Sequence, residues 1–225
     1  LAHRFGVPFA ERNIFLDNIN TVDYVRDRLK ELEAFAVQRG FAVVIPRGKR
    51  GLCDWRTELK DHYCWPQDPE DTPAVKSLIA EWDRVLWQVD ALLEGGAHKR
   101  YVLGYSNGGS FASFVATHGL FPGQAYAVVN GGPLAPPSKV KPVPMLLVSA
   151  QDDAVLGPKT RELHDGLGKA SWPHAFCPRP GAPALGAEDV ELALRFFRRD
   201  AEGSLKPQGG SYACETGPRK ESKDR

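Results

Sequence analysis

This 225-residue sequence lacks an excess of either charge sign, long apolar runs and cysteine pairs spaced as in zinc sites. It has 29 Lys and Arg against 28 Asp and Glu, so no basic stripe is expected and nucleic acid is not an expected partner. The longest apolar runs, at 41–46 and 143–150, are far shorter than the roughly 20 residues of a membrane helix. We therefore expect a globular chain without a membrane span.

Cysteine is also scarce, with four residues and no C-x-x-C or Cys/His spacing of the kind that binds zinc. An even number of cysteines favours disulfides and hence a secreted or periplasmic location. Four cysteines allow three pairings, and a bridge between Cys53 and Cys64 competes with four unrelated thiols. The sequence begins at Leu1 without a charged-then-apolar leader, so we expect any signal peptide to lie outside it.

Apolar periodicity alternates between the strand and the helix pattern along the chain. Strands are predicted at 12–17, 41–46, 100–104, 125–130, 143–150 and 173–177, and helices at 22–40, 74–96, 107–118, 157–168 and 186–200. This order predicts an α/β domain with a doubly wound, mostly parallel sheet flanked by helices. Residues 1–200 are predicted to form one domain, 47–73 a long irregular loop, and 201–225 a polar, flexible tail tied down at most through Cys214.

A glycine-boxed serine lies where a predicted strand passes into a helix. Gly104-Tyr105-Ser106-Asn107-Gly108 fits G-x-S-x-G, in which a tight turn lifts the serine above the sheet and tolerates only glycine at its flanks. The backbone N–H of Asn107 would then point at an oxyanion from the start of the helix. The simpler interpretation is a tight connection with a capping serine. The surrounding α/β order favours a nucleophile elbow.

The stretch "GYSNGG" and the strand "YAVVNGGP" at 126–133 resemble the α/β-hydrolases. In particular they are similar to the esterase group that includes polyhydroxybutyrate depolymerases and feruloyl esterases, over about residues 10–200. The resemblance implies the α/β-hydrolase fold and a triad in the order Ser, acid, His. It implies Asp153 as the acid, because "QDDAVLGP" matches the family's strand-then-turn pattern, with Asp152 as the near alternative.

The histidine of the triad is missing from its usual place. The resemblance places it in the loop 178–189, where Ala182 or Pro183 stands instead. Among six histidines, His174 is nearest in sequence and is the candidate base, and His62 could reach in from the long loop. Since neither fits the family layout, we expect no imidazole within hydrogen-bond reach of Ser106.

The second half of the oxyanion hole is altered as well. Relatives place a His-Gly pair after the first strand, whereas this chain reads Leu16-Asp17-Asn18-Ile19-Asn20. A backbone N–H near Asn18 or Ile19 is therefore the candidate for completing the hole. Asparagine tolerates some strained backbone conformations, so the hole is still possible.

Two functions stay open from the sequence. The first is a serine ester hydrolase with Ser106 as nucleophile and impaired activity, acting on a small-molecule or polymeric ester. The second is a non-catalytic α/β-hydrolase-fold protein that binds a ligand in the same cleft. Three aromatic residues of the long loop could line that cleft or could simply pack the loop onto the domain: Trp55, Tyr63 and Trp65. Neither function needs a cofactor or a metal, and the oligomeric state is open.

Overall fold

The computed structural model describes most of the chain, and all structural statements below refer to the described residues. They are residues 11–16, 22–52, 63–68, 72–92, 99–206 and 210–214.

Six parallel strands form the central sheet. The strands of the sheet are β1 (Glu11–Leu16), β2 (Phe41–Val44), β5 (Lys99–Tyr105), β6 (Ala125–Val129), β7 (Met145–Ala150) and β8 (His174–Arg179). A separate hairpin is formed by β3 (Lys49–Arg50) and β4 (Tyr63–Cys64). The sheet has the order β2-β1-β5-β6-β7-β8, and β3 pairs with β4 in antiparallel register. The strand order reverses between β1 and β5, and ligands of such open sheets bind at the carboxyl ends of the strands at this reversal.

Five helices cover the two faces of the sheet. They are α1 (Val22–Val37), α2 (Thr72–Leu92), α3 (Asn107–Thr117), α4 (Leu156–Lys169) and α5 (Ala187–Ala201). Apolar residues of α2, α3 and α4 share one buried cluster, and those of α1 and α5 share the other. Successive side chains of a strand point to opposite faces of the sheet, so neighbouring residues belong to different clusters. Val102 lies in the cluster with α2 and α3, and Leu103 lies in the cluster with α5.

The predicted fold class is confirmed, and each predicted element is present with bounds shifted by a few residues. The continuous apolar segments became fully buried strands because helices cover both faces of the sheet. The predicted irregular loop 47–73 differs, because it contains the β3–β4 hairpin. No described helix is both long and apolar enough to cross a membrane.

Part of the predicted tail is held against the sheet. Ser211 forms a parallel bridge with His174 at the start of β8, and the Tyr212 N–H donates to the His174 carbonyl at 2.8 Å. Cys214 forms a disulfide with Cys177 of β8. Residues 210–214 therefore cover the exposed edge of the last strand, where unpaired backbone groups would otherwise invite pairing with another chain.

Candidate functional site

Ser106 lies on a strained turn between β5 and α3, as the sequence predicted. Its backbone has φ 54° and ψ −122°, in the positive-φ region that residues with a Cβ rarely adopt. Such a conformation costs of order 1–3 kcal/mol and persists only where neighbouring structure enforces it. One constraint is the hydrogen bond from the Ser106 N–H to the Val129 carbonyl, at 3.0 Å. The serine is thereby fixed at the carboxyl edge of the sheet, beside β6.

Close backbone packing explains the glycine before the serine. A Cβ on Gly104 would lie 2.4 Å from the carbonyl oxygen of Gly108 and 2.8 Å from the Ala112 Cβ. The end of β5 is therefore in direct contact with the first turns of α3. Only glycine permits this approach, so the G-x-S-x-G spacing follows from the geometry of the turn.

The first turn of α3 supplies the candidate oxyanion donor. Asn107 is the first helical residue, and N–H groups of a first helical turn have no acceptor within the helix. The positive end of the helix dipole lies there too. The side chain of Asn107 is engaged elsewhere, with the backbone of Trp65, so its backbone N–H is the group suited to the predicted role. Asn18 and Ile19 lie outside the described residues.

Asp153, the predicted acid, follows β7 and is 6% exposed. Its Oδ1 accepts N–H groups of Val155 at 3.0 Å and of Leu156 at 2.7 Å, which fixes the turn into α4. Its Oδ2 is buried and has no hydrogen-bond partner in the described part of the chain. A buried carboxylate oxygen without a partner is costly, and it is the atom that would orient an imidazole in a triad. Asp152, the alternative, is exposed to solvent.

Asn130 is a third polar residue at this edge, and sequence reasoning missed it. It follows β6 with φ 49° and is fully buried. Its Oδ1 accepts the Ala150 N–H at 2.7 Å, and its Nδ2 is buried without a partner among the described residues. Because β6 lies between β5 and β7, Asn130 stands between the Ser106 and Asp153 turns and ties the latter to the sheet. The only sequence signal was an asparagine directly after an apolar strand.

A second missed residue, Arg179, shapes the loop in which the triad histidine was expected. Its guanidinium donates to the carbonyls of Ala182 at 3.2 Å and Ala184 at 2.7 Å. It also forms an ion pair with Asp189 at 2.7 Å. The Gly181 carbonyl accepts the Asp152 N–H at 3.2 Å, which places the loop beside the acid turn. The loop is thus well ordered by polar contacts yet presents Ala182 and Pro183, both exposed and neither basic.

Asp189 anchors this network from the first turn of α5. It is buried, and its Oδ2 accepts the Gly186 N–H at 2.9 Å. Burial raises the pKa of the Asp189 carboxyl above its usual value, while the Gly186 N–H and Arg179 act in the opposite direction. The positive charge of Arg179 therefore favours the ionised form of the buried Asp189 carboxyl.

His174 is not placed to act as the base, which corrects the sequence-based assignment. It begins β8 and pairs with Met145 at the start of β7, whereas Ser106 follows the carboxyl end of β5. One ring nitrogen, Nδ1, contacts the Trp172 carbonyl at 2.7 Å, and Nε2 contacts His164 Nδ1 at 2.7 Å. Burial lowers the pKa of the His174 imidazole, and His164 lowers it further, although the Trp172 carbonyl raises it. The strand simply begins too early for its first side chain to reach the catalytic edge.

The other histidines do not supply the base within the described chain. His164 is half-buried and stacked on Phe176, with ring centroids 4.7 Å apart. His118 directly follows α3, with Nδ1 3.1 Å from the Phe114 carbonyl oxygen. His62, the second candidate, lies outside the described residues, as do His3 and His98.

Trp65 is a core residue, so its predicted role in substrate binding is wrong. It is 0% exposed, stacks on Phe111 at 5.5 Å and meets Trp82 edge-on at 5.7 Å. The alternative, that loop aromatics pack the loop onto the domain, holds for this residue. Tyr63 is half-buried, so its predicted role in substrate binding stays a prediction. Trp55 lies outside the described residues.

The disulfide expectation is met in part. Cys64 is disulfide-bonded, and Cys177 pairs with Cys214, but Cys53 lies outside the described residues, so the proposed Cys53–Cys64 bridge is not described. Within the described residues, no group of three or more His, Cys, Asp or Glu could hold a metal ion. A groove of about 980 Å³ runs between the proline-rich segment 133–137 and α4, and neither Ser106 nor Asp153 lines it.

Comparison with solved structures identifies the architecture. SOBER1 from Arabidopsis thaliana superposes with a TM-score of 0.64 at 16% identity, covering 85% of this chain and 99% of that one. Esterase PE8 gives 0.57 at 16% identity, covering 85% and 93%. A phospholipase/carboxylesterase from Dyadobacter fermentans gives 0.56 at 14% identity, covering 87% and 91%.

The chain has the α/β-hydrolase fold. At these identities the likeness concerns the fold alone. A family model described as divergent polysaccharide deacetylase matches residues 1–51, a minor part of the chain. Among curated proteins no match to the sequence is found.

Proposed function

We propose that the protein is a serine ester hydrolase of low intrinsic activity, with Ser106 as nucleophile. The observation that carries this proposal is the strained backbone of Ser106 at the carboxyl edge, two strands from a buried Asp153 with an unpartnered oxygen. A strained serine and an orphaned carboxylate are both costly, and such costs concentrate at functional sites. Two structural neighbours, named as an esterase and a phospholipase/carboxylesterase, support the same function.

The proposed reaction is acyl transfer through the serine. The Ser106 Oγ attacks the ester carbonyl, its proton passes to water, and the carbonyl oxygen takes the negative charge. The Asn107 N–H, with a backbone N–H near Asn18 or Ile19, stabilises that oxyanion. The bond to the alcohol then breaks, the alcohol leaves with a proton from water, and a water molecule hydrolyses the acyl-serine. No imidazole of the described residues bonds the Oδ2 of Asp153, so the proposal expects a low rate.

The finer assignments belong to the same proposal. The motif "GYSNGG" supports a small-molecule or polymeric ester as substrate, as in the polyhydroxybutyrate depolymerase and feruloyl esterase group. The Cys177–Cys214 disulfide supports an oxidising, secreted or periplasmic location. No cofactor enters the mechanism, and residues 1–200 act as one domain.

A non-catalytic binding protein is the second candidate, and the loop at Ala182 and Pro183 favours it. With exposed, non-basic side chains there, the hydroxyl of Ser106 has no proton acceptor from this loop. Such a protein would use the cleft to hold an ester or acid without turning it over.

Hydrolysis of 4-nitrophenyl acetate separates the two functions. We expect slow release of 4-nitrophenol that exceeds the rate with Ser106→Ala, and weak labelling by a fluorophosphonate that is lost in the same variant. Ser138→Ala, a serine outside the site, serves as the matched control. Equal rates for the wild-type protein and Ser106→Ala would favour the binding protein.

A further inference from the structure

Two guanidinium groups of the β3–β4 hairpin share one aromatic ring. The Arg47 guanidinium carbon lies 4.9 Å from the Tyr63 ring centroid, and that of Arg50 lies 5.0 Å from it. Both distances are within the range of cation–π contacts. Both arginines are exposed and Tyr63 is half-buried, so the ring holds two cations at the surface.

The charges of this pair are not balanced by the described chain. Neither Arg47 nor Arg50 has an ion-pair partner among the described residues. The third cation of the hairpin, Lys49, is already engaged: its Nζ lies 2.6 Å from the Ser77 Oγ and 3.6 Å from Glu81 Oε1 on α2. Because each guanidinium carbon lies about 5 Å from the same ring centroid, the two are at most about 10 Å apart; like charges at that separation repel, and a bound anion would relieve the repulsion.

The hairpin is fixed in place by close contacts. A Cβ on Gly48 would lie 2.4 Å from the Cys64 carbonyl oxygen, so the two strands are in tight backbone contact. Arg50 lies directly opposite Tyr63 in the antiparallel register. The arginines are therefore presented by a braced element rather than by a free loop.

The same hairpin is joined to the candidate active site. Trp65 follows Tyr63 by two residues, a span of at most about 7 Å. Its backbone N–H donates to Asn107 Oδ1 at 2.7 Å, and Asn107 is the neighbour of Ser106. The segment carrying Arg47 also leaves the carboxyl end of β2, at the same edge of the sheet as Ser106.

We propose that Arg47 and Arg50 form an anion subsite at the rim of the Ser106 cleft. It binds a carboxylate or phosphate group carried by the ester substrate, while the ester carbonyl reaches Ser106. Guanidinium groups suit this task because their forked N–H donors match both oxyanions. The substrate class rests on the proposed hydrolase function, but the anion subsite itself does not.

A pair of esters of similar length tests the substrate class. The variants are Arg47→Gln, Arg50→Gln and the double variant, with Arg161→Gln, an exposed arginine of α4, as the matched control. The KM for mono(4-nitrophenyl) glutarate divided by that for 4-nitrophenyl pentanoate should rise about tenfold in the double variant at low salt. The control should leave the ratio unchanged. An unchanged ratio in the double variant would overturn the substrate class.

Binding is measured separately in Ser106→Ala, which does not depend on turnover. Glutarate and inorganic phosphate are titrated while the Nε–H signals of Arg47, Arg50 and Arg161 are followed by NMR. We expect saturable shifts at Arg47 and Arg50 with at least one anion, and none at Arg161; the anion that binds more tightly identifies the group. Absence of saturation with both anions would overturn the subsite. Saturation together with inert esters would instead leave the subsite intact and reject the hydrolase.

Discussion

The side chain of Asn107 pairs with the backbone of Trp65 much as a second peptide group would. Its Oδ1 accepts the Trp65 N–H at 2.7 Å, and its Nδ2 donates to the Trp65 carbonyl at 3.2 Å. Both residues are buried. The residue after the candidate nucleophile is thus held by a segment 42 residues away in sequence.

Asn107→Ala should be strongly destabilising, because it removes two buried hydrogen bonds between the Asn107 side chain and the Trp65 backbone. Removing one partner of a buried hydrogen bond costs about 1–3 kcal/mol, so we expect the free energy of unfolding to fall by about 3 kcal/mol in urea denaturation. Ser138→Ala is the control, since it removes one half-buried bond to the Thr117 carbonyl. A loss in Asn107→Ala no larger than in Ser138→Ala would show that the pair does not hold the hairpin.

Gly104→Ala should disrupt the elbow. The added methyl would lie 2.4 Å from the Gly108 carbonyl oxygen, which is backbone and cannot rotate away. Overpacking of this kind costs about 1–3 kcal/mol, and relaxation of the turn would release the strain at Ser106. We expect a lower melting temperature and loss of any esterase activity.

Gly166→Ala is the matched control for that substitution. Gly166 lies within α4, and a Cβ there meets nothing within 4 Å. Alanine should therefore stabilise the helix by up to about 1 kcal/mol without changing activity. Equal melting temperatures for the two variants would contradict the account of the elbow.

The fold was predictable because its signals are local. Apolar runs such as 143–150 predict a strand buried on both faces, and the glycine spacing around Ser106 predicts a tight strand-to-helix turn. Both signals are contained within a few residues, so they can be recognised without knowledge of the tertiary contacts. Element bounds shifted because capping and fraying depend on neighbouring elements.

The site was less predictable because its residues depend on distant partners. In the sequence, Trp65 resembles an exposed aromatic residue of a loop, and only its contacts with Phe111 and Trp82 in the fold make it a core residue. Arg179 becomes a loop organiser only through Asp189 on the next helix. His174 was judged by its nearness in sequence to the expected loop, whereas its height along β8 decides what it can reach.

His174 should make the protein less stable in mild acid. Burial lowers the pKa of its imidazole, so the unfolded chain takes up the proton at a higher pH than the folded one. Its contribution to stability is thus complete above about pH 6.5, the ordinary histidine value, and is lost as the pH falls toward the folded pKa. One proton gives a slope of at most about 1.4 kcal/mol per pH unit.

Urea denaturation of the wild-type protein and His174→Gln from pH 8 to pH 5 measures this slope. At pH 8 the ring is neutral in both states, so the difference there reports packing and hydrogen bonds alone. Below about pH 6.5 the two stability curves should converge. Curves that stay parallel over the whole range would show that His174 does not titrate differently on folding.

Ala182→His should raise esterase activity, because the loop that carries it is already held beside the acid turn. The carbonyl of Ala182 accepts a hydrogen bond from Arg179, and the Gly181 carbonyl accepts the Asp152 N–H. We expect an imidazole there to reach Ser106 on one side and, on the other, Asp153, whose Oδ2 has no partner among the described residues. A positioned base contributes roughly 10²- to 10⁴-fold, so we expect a gain in kcat of about tenfold or more from Ala182→His or Pro183→His.

The controls for this gain use the same loop and the same acid. Ala184→His adds an imidazole to an exposed position of the loop and should give no gain. Adding Asp153→Asn to Ala182→His should remove most of the gain, because the imidazole loses the carboxylate that orients it. The gain should also require the neutral imidazole and therefore disappear below about pH 6.5, which a pH–rate profile measures. A gain that persists with Asp153→Asn or with Ser106→Ala would mean that the new histidine hydrolyses the ester by itself, outside the proposed site.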